Sequence, residues 1–177
     1  MTNYKDDSCM GGLMPPLPHP RPRPQVNQTI LKCGTGTGLV IPDHYEFNSQ
    51  LLNPYTLAQV SINTSELKMA NVKVDFSCIV AFDESEGCDL RLTFQLSKTY
   101  NYGAKIALGN WTFERDIETS TETTDSFGFT WCECDACPGC AYYTVELINV
   151  ESNGVNCRGI TSSSINAMAV GPLAFDY

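Results

Sequence analysis

The clearest structural signal in the sequence is Val72-Lys73-Val74-Asp75-Phe76-Ser77-Cys78-Ile79-Val80-Ala81-Phe82, in which every second residue from Val72 is apolar. A period of two puts alternate side chains on opposite faces of a β-strand, whereas an amphipathic helix needs a period of 3.6. One buried face and one solvated face are typical of antiparallel sheets. The stretch therefore predicts a half-buried antiparallel strand whose core face includes Cys78.

The same alternation recurs further along the chain. It is found in residues 90–96, 127–131, 143–147 and 165–169. Shorter apolar pieces lie at 29–33, 39–41 and 55–63, and a strand with Trp111 and Phe113 is expected over 106–118. These eight to ten short strands, with a single helical turn at 65–69 as the one helical candidate, predict an all-β fold. The expected architecture is an antiparallel β-sandwich of the jelly-roll type.

Polar and glycine-rich segments predict the connections between these strands. Residues 83–87 predict a turn that closes a hairpin between the strands at 72–82 and 90–96. Asn101-Tyr102-Gly103 predicts a second turn. The glycines of 34–38 lead into an apolar strand rather than a helix, so they indicate a turn and not a phosphate-binding loop.

Residues 1–27 differ in composition from the rest of the chain. Gly11 and Gly12 indicate a hinge, and six prolines are spread over residues 15–24. Proline at this density favours an extended polyproline II spacer, because it cannot donate to a sheet. We therefore expect a flexible N-terminal connector arm over 1–27 and a β-sandwich domain over 28–177. We interpret the arm as a tether that carries the Cys9 thiol to a neighbouring subunit, rather than a disordered leader or an SH3-type ligand.

Charge and composition narrow the possible partners. The net charge is −9, which disfavours nucleic acid and anionic membranes as partners, because both bind basic patches. Only 18% of the residues are charged, and such a surface favours packing of subunits against one another. Residues 1–7 contain acidic side chains and no apolar run, so no classical signal peptide is expected.

Nine cysteines indicate an oxidising destination or a metal site. Four of them lie in Cys132-Glu133-Cys134-Asp135-Ala136-Cys137-Pro138-Gly139-Cys140. One interpretation is disulfides, whose candidate members are Cys33, Cys78, Cys88, Cys132, Cys134, Cys137, Cys140 and Cys157. The other is a zinc or iron–sulfur site formed by Cys132, Cys134, Cys137 and Cys140. We favour disulfides, because the four thiols are expected in one short loop and structural zinc sites usually combine two separated knuckles.

Catalytic residues are not apparent in the sequence. His19 lies in the proline arm and His44 has no context that marks it as a base. No nucleophile signature such as GxSxG occurs. We therefore expect neither enzymatic activity nor a cofactor.

Two resemblances point to a structural role. Three stretches carry the first resemblance: Ile30-Leu31-Lys32-Cys33-Gly34, Trp111-Thr112-Phe113 and the region 127–145 with its cysteine-rich core. They resemble a family of small cysteine-rich proteins of spore-forming Clostridia, whose activity is not established. That likeness covers most of residues 28–170. The overall plan also resembles the endospore appendage (Ena-type) pilins of bacilli, jelly-roll subunits whose N-terminal connector carries cysteines that cross-link to subunits further along the fibre.

The pilin resemblance implies that Cys9 is the intersubunit cross-link and that Gly11 and Gly12 form the hinge behind it. The chain departs from that pattern, since it has a single arm cysteine where those pilins typically have a pair, and it carries a long proline spacer.

Together these observations predict a subunit that self-assembles through its arm and sheet edges into a disulfide-cross-linked extracellular fibre, such as a spore appendage or a pilus-like filament. Its expected partners are further copies of the same or a similar subunit in a helical filament. The alternative is a monomeric, cysteine-rich binding module with a structural zinc site.

Overall fold

A computed structural model of the chain describes residues 26–41, 49–83, 88–117, 122–153 and 159–174. These residues form ten β-strands and no helix. The strands are β1 (Asn27–Cys33), β2 (Thr35–Gly36), β3 (Leu39–Val40), β4 (Ser49–Asn63), β5 (Ala70–Asp83), β6 (Cys88–Tyr100), β7 (Lys105–Ile117), β8 (Glu122–Ala136), β9 (Cys140–Asn153) and β10 (Gly159–Pro172). No described helix is long and apolar enough to cross a membrane. The predicted all-β class is confirmed.

The strands form two antiparallel sheets in a sandwich. Sheet A has the order β1-β10-β5-β8, and β3 pairs with the end of β10. Sheet B has the order β2-β4-β9-β6-β7. Among consecutive described strands, only β6 and β7 lie in the same sheet, so the other connections pass between the sheets. Such crossings are what a jelly roll requires, and the jelly-roll subtype stays a prediction.

One predicted hairpin is wrong and another turn is confirmed. The strands on either side of residues 83–87 do not pair, because β5 belongs to sheet A and β6 to sheet B. Each of these strands has one apolar face, and placing them in opposite layers buries both faces against each other. The Asn101-Tyr102-Gly103 turn does close a hairpin, since β6 pairs with β7 and the Gly103 N–H donates to the Tyr100 carbonyl at 2.7 Å.

The core lies between the two sheets. Along β5, Val74, Phe76 and Cys78 are buried and the residues between them are exposed or half-buried, as the alternation predicts. On the side where β7 approaches β8, the interior is aromatic: the Trp111 ring stacks on Phe129 with centroids 3.9 Å apart. This packing fixes β8, the edge strand of sheet A, against sheet B.

Several predicted features lie outside the described residues. These are the connector arm with Cys9, Gly11 and Gly12, the residues of the 84–87 turn, His44 and Cys157. β1 begins at Asn27, and the division into an arm over 1–27 and a domain over 28–177 stays a prediction.

Candidate functional site

The described cysteines with free thiols occupy three kinds of position. Cys33 ends β1, Cys78 lies within β5, and the four clustered cysteines run from β8 into β9. Cys33, Cys132, Cys134 and Cys137 are exposed, Cys140 is half-buried and Cys78 is buried. Cys88 begins β6. The expectation of a single loop for the cluster is wrong, because β8 continues to Ala136.

The side-chain alternation of β8 explains why Cys132 and Cys134 are exposed. Phe129 points into the core, so residues an even number of positions away share its face and the residues between them point outward. Cys132 and Cys134 therefore belong to the outer face, which we define as the side of sheet A that is turned away from sheet B. Cys33 also belongs to this face, because it is in register with Asn166 and Asp75, which are not part of the core.

The register of sheet A places exposed thiols at both of its edges. Cys132 is in register with Lys73 on β5, Lys73 with Met168 on β10, and Met168 with Leu31 on β1. Cys33 is two residues beyond Leu31, so it lies one outer-face row from Cys132. Three strand spacings, roughly 14 Å in all, separate the β1 and β8 edges.

Between these thiols the outer face is almost uncharged. It is lined mainly by hydroxyl and amide side chains: Asn71, Ser77, Ser126, Thr130, Ser162, Ser164 and Asn166. Ser77 and Ser164 share a hydrogen bond of 2.8 Å between their hydroxyl oxygens. The Lys73 ammonium and the Asp75 carboxylate form an ion pair at 2.9 Å, so these two charges compensate each other.

A partly buried polar cluster ties β8 to sheet B. Glu133, between the two outward cysteines, turns inward and accepts hydrogen bonds from the Lys98 ammonium at 2.6 and 2.7 Å. The Tyr143 hydroxyl donates to the same carboxylate at 3.0 Å. Burial, and next the negative charge of Glu133, raise the pKa of Tyr143. Because Lys98 and Tyr143 belong to β6 and β9, this cluster holds the cysteine-bearing strand in place.

The turn after β8 is fixed by hydrogen bonds that backbone N–H groups donate. The Thr64 N–H donates to the Gly139 carbonyl at 2.9 Å, and the Cys140 N–H donates to the Asn101 side chain at 3.0 Å. Gly139 has φ of +148°, and a Cβ there would lie 2.6 Å from the Tyr100 hydroxyl. The exposed Cys137 thiol is thus carried by a turn of defined shape.

Cys78 has the opposite environment from the outward cysteines. Its side chain is 3% exposed and belongs to the hydrophobic core. Desolvation raises the pKa of its thiol to about 12. Because the thiolate is the reactive form of cysteine, Cys78 fills space in the core and is inert.

The clustered cysteines do not form a tetrathiolate site in this structure. Within the described ranges, no group of three or more His, Cys, Asp or Glu side chains is placed to hold a metal ion. The physical reason is that Cys132 and Cys134 extend along a strand while Cys137 and Cys140 flank the following turn.

Sequence reasoning did not identify the edge positions or the Glu133 cluster. The alternation that begins at Phe127, continued to Cys134, contains the signal for the outward direction of Cys132 and Cys134 and the inward direction of Glu133. The edge positions depend on strand order, which that alternation does not specify.

Comparison with known proteins gives a family and several weak structural likenesses. A family model described as Domain of unknown function (DUF4489) matches residues 27–170. Because this match spans most of the chain, the protein belongs to that family. No curated protein matches the sequence.

Three solved structures are similar to parts of the chain. The Eiger TNF structure from S. frugiperda is 10% identical, with a TM-score of 0.42, and covers 84% of this chain and 96% of its own. The infectious bursal disease virus Gx strain structure is 12% identical, with a TM-score of 0.42 and coverages of 86% and 34%. The globular domain of zebrafish complement 1qA protein is 13% identical, with a TM-score of 0.30 and coverages of 81% and 100%. No functional inference is drawn from likenesses at this level.

Proposed function

We propose that this member of the DUF4489 family is a structural subunit of a disulfide-cross-linked extracellular fibre, in which copies join through their sheet edges and the N-terminal arm. The observation that carries this proposal is the exposure of thiols at both edges of one sheet. Cys33 lies at the β1 edge, and Cys132 and Cys134 lie at the β8 edge.

Exposed thiols need an explanation in a folded protein. Free cysteine is among the most buried residue types, and exposed thiols are open to oxidation and exchange. Four of the described cysteines are nevertheless exposed. A chain that forms covalent links to its neighbours needs its thiols at the surface.

The sheet edges that carry these thiols lack proline and are almost free of lysine. Edge strands of monomeric proteins are often protected by lysine, proline or short length. β8 is 15 residues long and contains no lysine, arginine or proline; of its four acidic residues, Glu133 is bound by Lys98 inside the domain. β1 carries Lys32 as its single charged residue. Both edges are therefore suited to pairing with another chain.

Joining two different edges of the same subunit generates an open polymer. A head-to-tail contact that does not close into a ring produces a filament. The predicted arm adds a second link, since the pilin resemblance assigns Cys9 to a cross-link with another subunit. The low share of charged residues, 18%, is suited to close packing of copies.

The test is oxidative assembly of the full-length chain. We expect a ladder of species on a gel without reductant, monomer on a gel with reductant, and fibres by electron microscopy. Replacing Cys9 with serine should leave the domain folded and weaken resistance of the fibres to heat and detergent. A protein that stays monomeric under oxidising conditions, or that binds stoichiometric zinc as a monomer, would contradict the proposal.

A further inference from the structure

We propose that β1 of one copy pairs antiparallel with β8 of the next, and that Cys33 forms a disulfide with Cys132 across this junction. The inference rests on the proposed function and deepens it, because it names the two strands and the two sulfur atoms that join subunits. The partner is a second copy of this chain.

Strand direction permits such a junction without breaking the antiparallel pattern. β1 is antiparallel to β10, β10 to β5, and β5 to β8. β1 therefore runs opposite to β8. A copy displaced sideways in the plane of sheet A places its β1 antiparallel to the β8 of its neighbour, and the sheet continues from one subunit into the next.

The backbone groups of both cysteines point towards the open edges. Gly34 donates its N–H to the Ile165 carbonyl at 2.8 Å, so the backbone groups of the preceding Cys33 point away from β10. Successive residues of a strand turn their N–H and C=O groups to opposite sides. The groups of Ile165 point to β1, so those of its register partner Phe76 point to β8 and those of Phe129 point to β5. The alternation leaves the backbone groups of Cys132, three residues after Phe129, pointing away from β5.

These directions allow the two cysteines to stand opposite each other as a hydrogen-bonded pair. Both side chains lie on the outer face, so they would emerge on the same side of the joined sheet. The Cα atoms of such a pair are about 5.5 Å apart. That Cα separation falls within the roughly 4.4–6.8 Å range of disulfides. The Cβ atoms of such a pair, about 5.5 Å apart, have to close to about 4.5 Å for the bond to form.

The register also sets no like charges opposite each other. Lys32 stands opposite Glu133, whose carboxylate already binds the Lys98 ammonium inside the domain. Cys134 is a poorer partner for Cys33, because the β5–β8 ladder is irregular between Glu133 and Ala136 and Asp135 has φ of +52°. Cys132 lies in the regular part of the ladder, where it pairs with Lys73. The junction is therefore anchored at Cys132 and Glu133, and the rest of β1 lies opposite the irregular end of β8.

The chemistry is thiol–disulfide exchange. With oxidised glutathione as oxidant, one cysteine forms a mixed disulfide and releases one glutathione. The thiolate of the other cysteine then attacks the protein sulfur of that mixed disulfide and releases the second glutathione. One Cys33–Cys132 bond forms for each oxidised glutathione that is reduced, and the two thiol protons leave with the released glutathione.

The test uses two single variants, Cys33→Ser and Cys132→Ser, in a full-length Cys9→Ser background. Neither variant alone can form the proposed bond, because each lacks one of its sulfur atoms. When they are mixed with oxidised glutathione, the intact Cys33 of one and the intact Cys132 of the other should join them as a heterodimer. A protease that cuts after glutamate separates Cys132 from Cys134 at Glu133, so mass spectrometry can identify the linked peptide.

We expect the Cys33–Cys132 peptide in the parent and in the mixture, and its complete loss in each variant alone. Cys134→Ser is the matched control and should retain the link, and thermal unfolding verifies that each variant is folded. A link from Cys33 to Cys134, or folded variants that assemble without any Cys33 link, would overturn this inference. Fibres that persist in that case would leave the proposed function standing, whereas a protein that stays monomeric would contradict both.

Discussion

The two faces of sheet A differ in almost every property although they are formed by the same strands. On the inner face of β5, the residues Val74, Phe76 and Cys78 are each no more than 3% exposed. The outer face of the same strand presents Ser77 and an ion pair of Lys73 with Asp75. A single strand thus contributes one set of side chains to the core and another to the surface.

The cysteines make the comparison sharper. Cys78 and Cys132 lie on paired strands of one sheet, yet one is in the core and the other is exposed. The difference comes only from whether the residue falls on an inward or an outward position of the alternation. We therefore expect changes on the inner face to alter the stability of the fold, and changes on the outer face to leave the core intact.

The largest expected difference between the faces is in thiol reactivity. Iodoacetamide should modify Cys132 in the native protein at the rate of an accessible thiol, whereas Cys78 reacts only when the sheet opens. Because opening of a core strand costs several kcal/mol, we expect Cys78 to react at least about a thousandfold more slowly. Timed alkylation of the reduced protein, followed by peptide mass spectrometry, measures both rates in one sample.

Denatured protein is the control for this experiment, since the two cysteines should then react at similar rates. Rates that already agree in the native protein would mean that the inner face is not closed around Cys78.

A smaller difference is expected in stability. Phe76→Ala removes a buried ring whose centroid lies 5.2 Å from that of Phe129 and 6.0 Å from that of Phe94. It should lower the free energy of unfolding by about 3–5 kcal/mol. Ser126→Ala on the outer face of β8 should change it by no more than about 0.5 kcal/mol. Urea unfolding under reducing conditions measures both variants, and equal losses would remove the distinction between the faces.

The sequence predicts these faces well because each follows from a local pattern. The alternation from Val72 to Phe82 correctly assigns Phe76 and Cys78 to the core. Extending the alternation of 127–131 would also have placed Cys132 outward. The Cys-Pro-Gly-Cys composition after Ala136 indicates a loop, and the prediction of one loop for the whole cysteine cluster extends that signal too far towards Cys132.

The pairing of strands could not be predicted from local patterns. The polar residues between β5 and β6 satisfy the requirements of a hairpin turn and of a crossover between sheets equally well. What separates the two outcomes is which strands pair with β5, namely β10 and β8. Those partners are distant in sequence, so the location of Cys33 and Cys132 at opposite edges of one sheet becomes visible only in the structure.

The smallest expected difference concerns alkaline pH. Burial raises the pKa of Cys78 to about 12 from an ordinary value of 9.0. Between these values the unfolded chain has lost the Cys78 proton while the folded chain keeps it, so the free energy of unfolding falls as pH rises. Below pH 9 the Cys78 thiol should make its full contribution to the free energy of unfolding. Above pH 9 that contribution should fall by about 1.4 kcal/mol per pH unit.

Comparison with Cys78→Ala isolates this contribution, because tyrosines and other groups titrate in both proteins. The parent protein's stability advantage over the variant should be constant from pH 7 to 8.5 and shrink between pH 9 and 10.5. Ser126→Ala is the matched outer-face control, and its difference from the parent should not vary with pH, since a serine hydroxyl does not titrate in this range. If the Cys78→Ala difference were also independent of pH, the thiol would ionise without opening the core, and water would have to reach the inner face of β5. Equal pH behaviour of the Cys78→Ala and Ser126→Ala variants would therefore contradict the separation of the faces more directly than any single loss of stability.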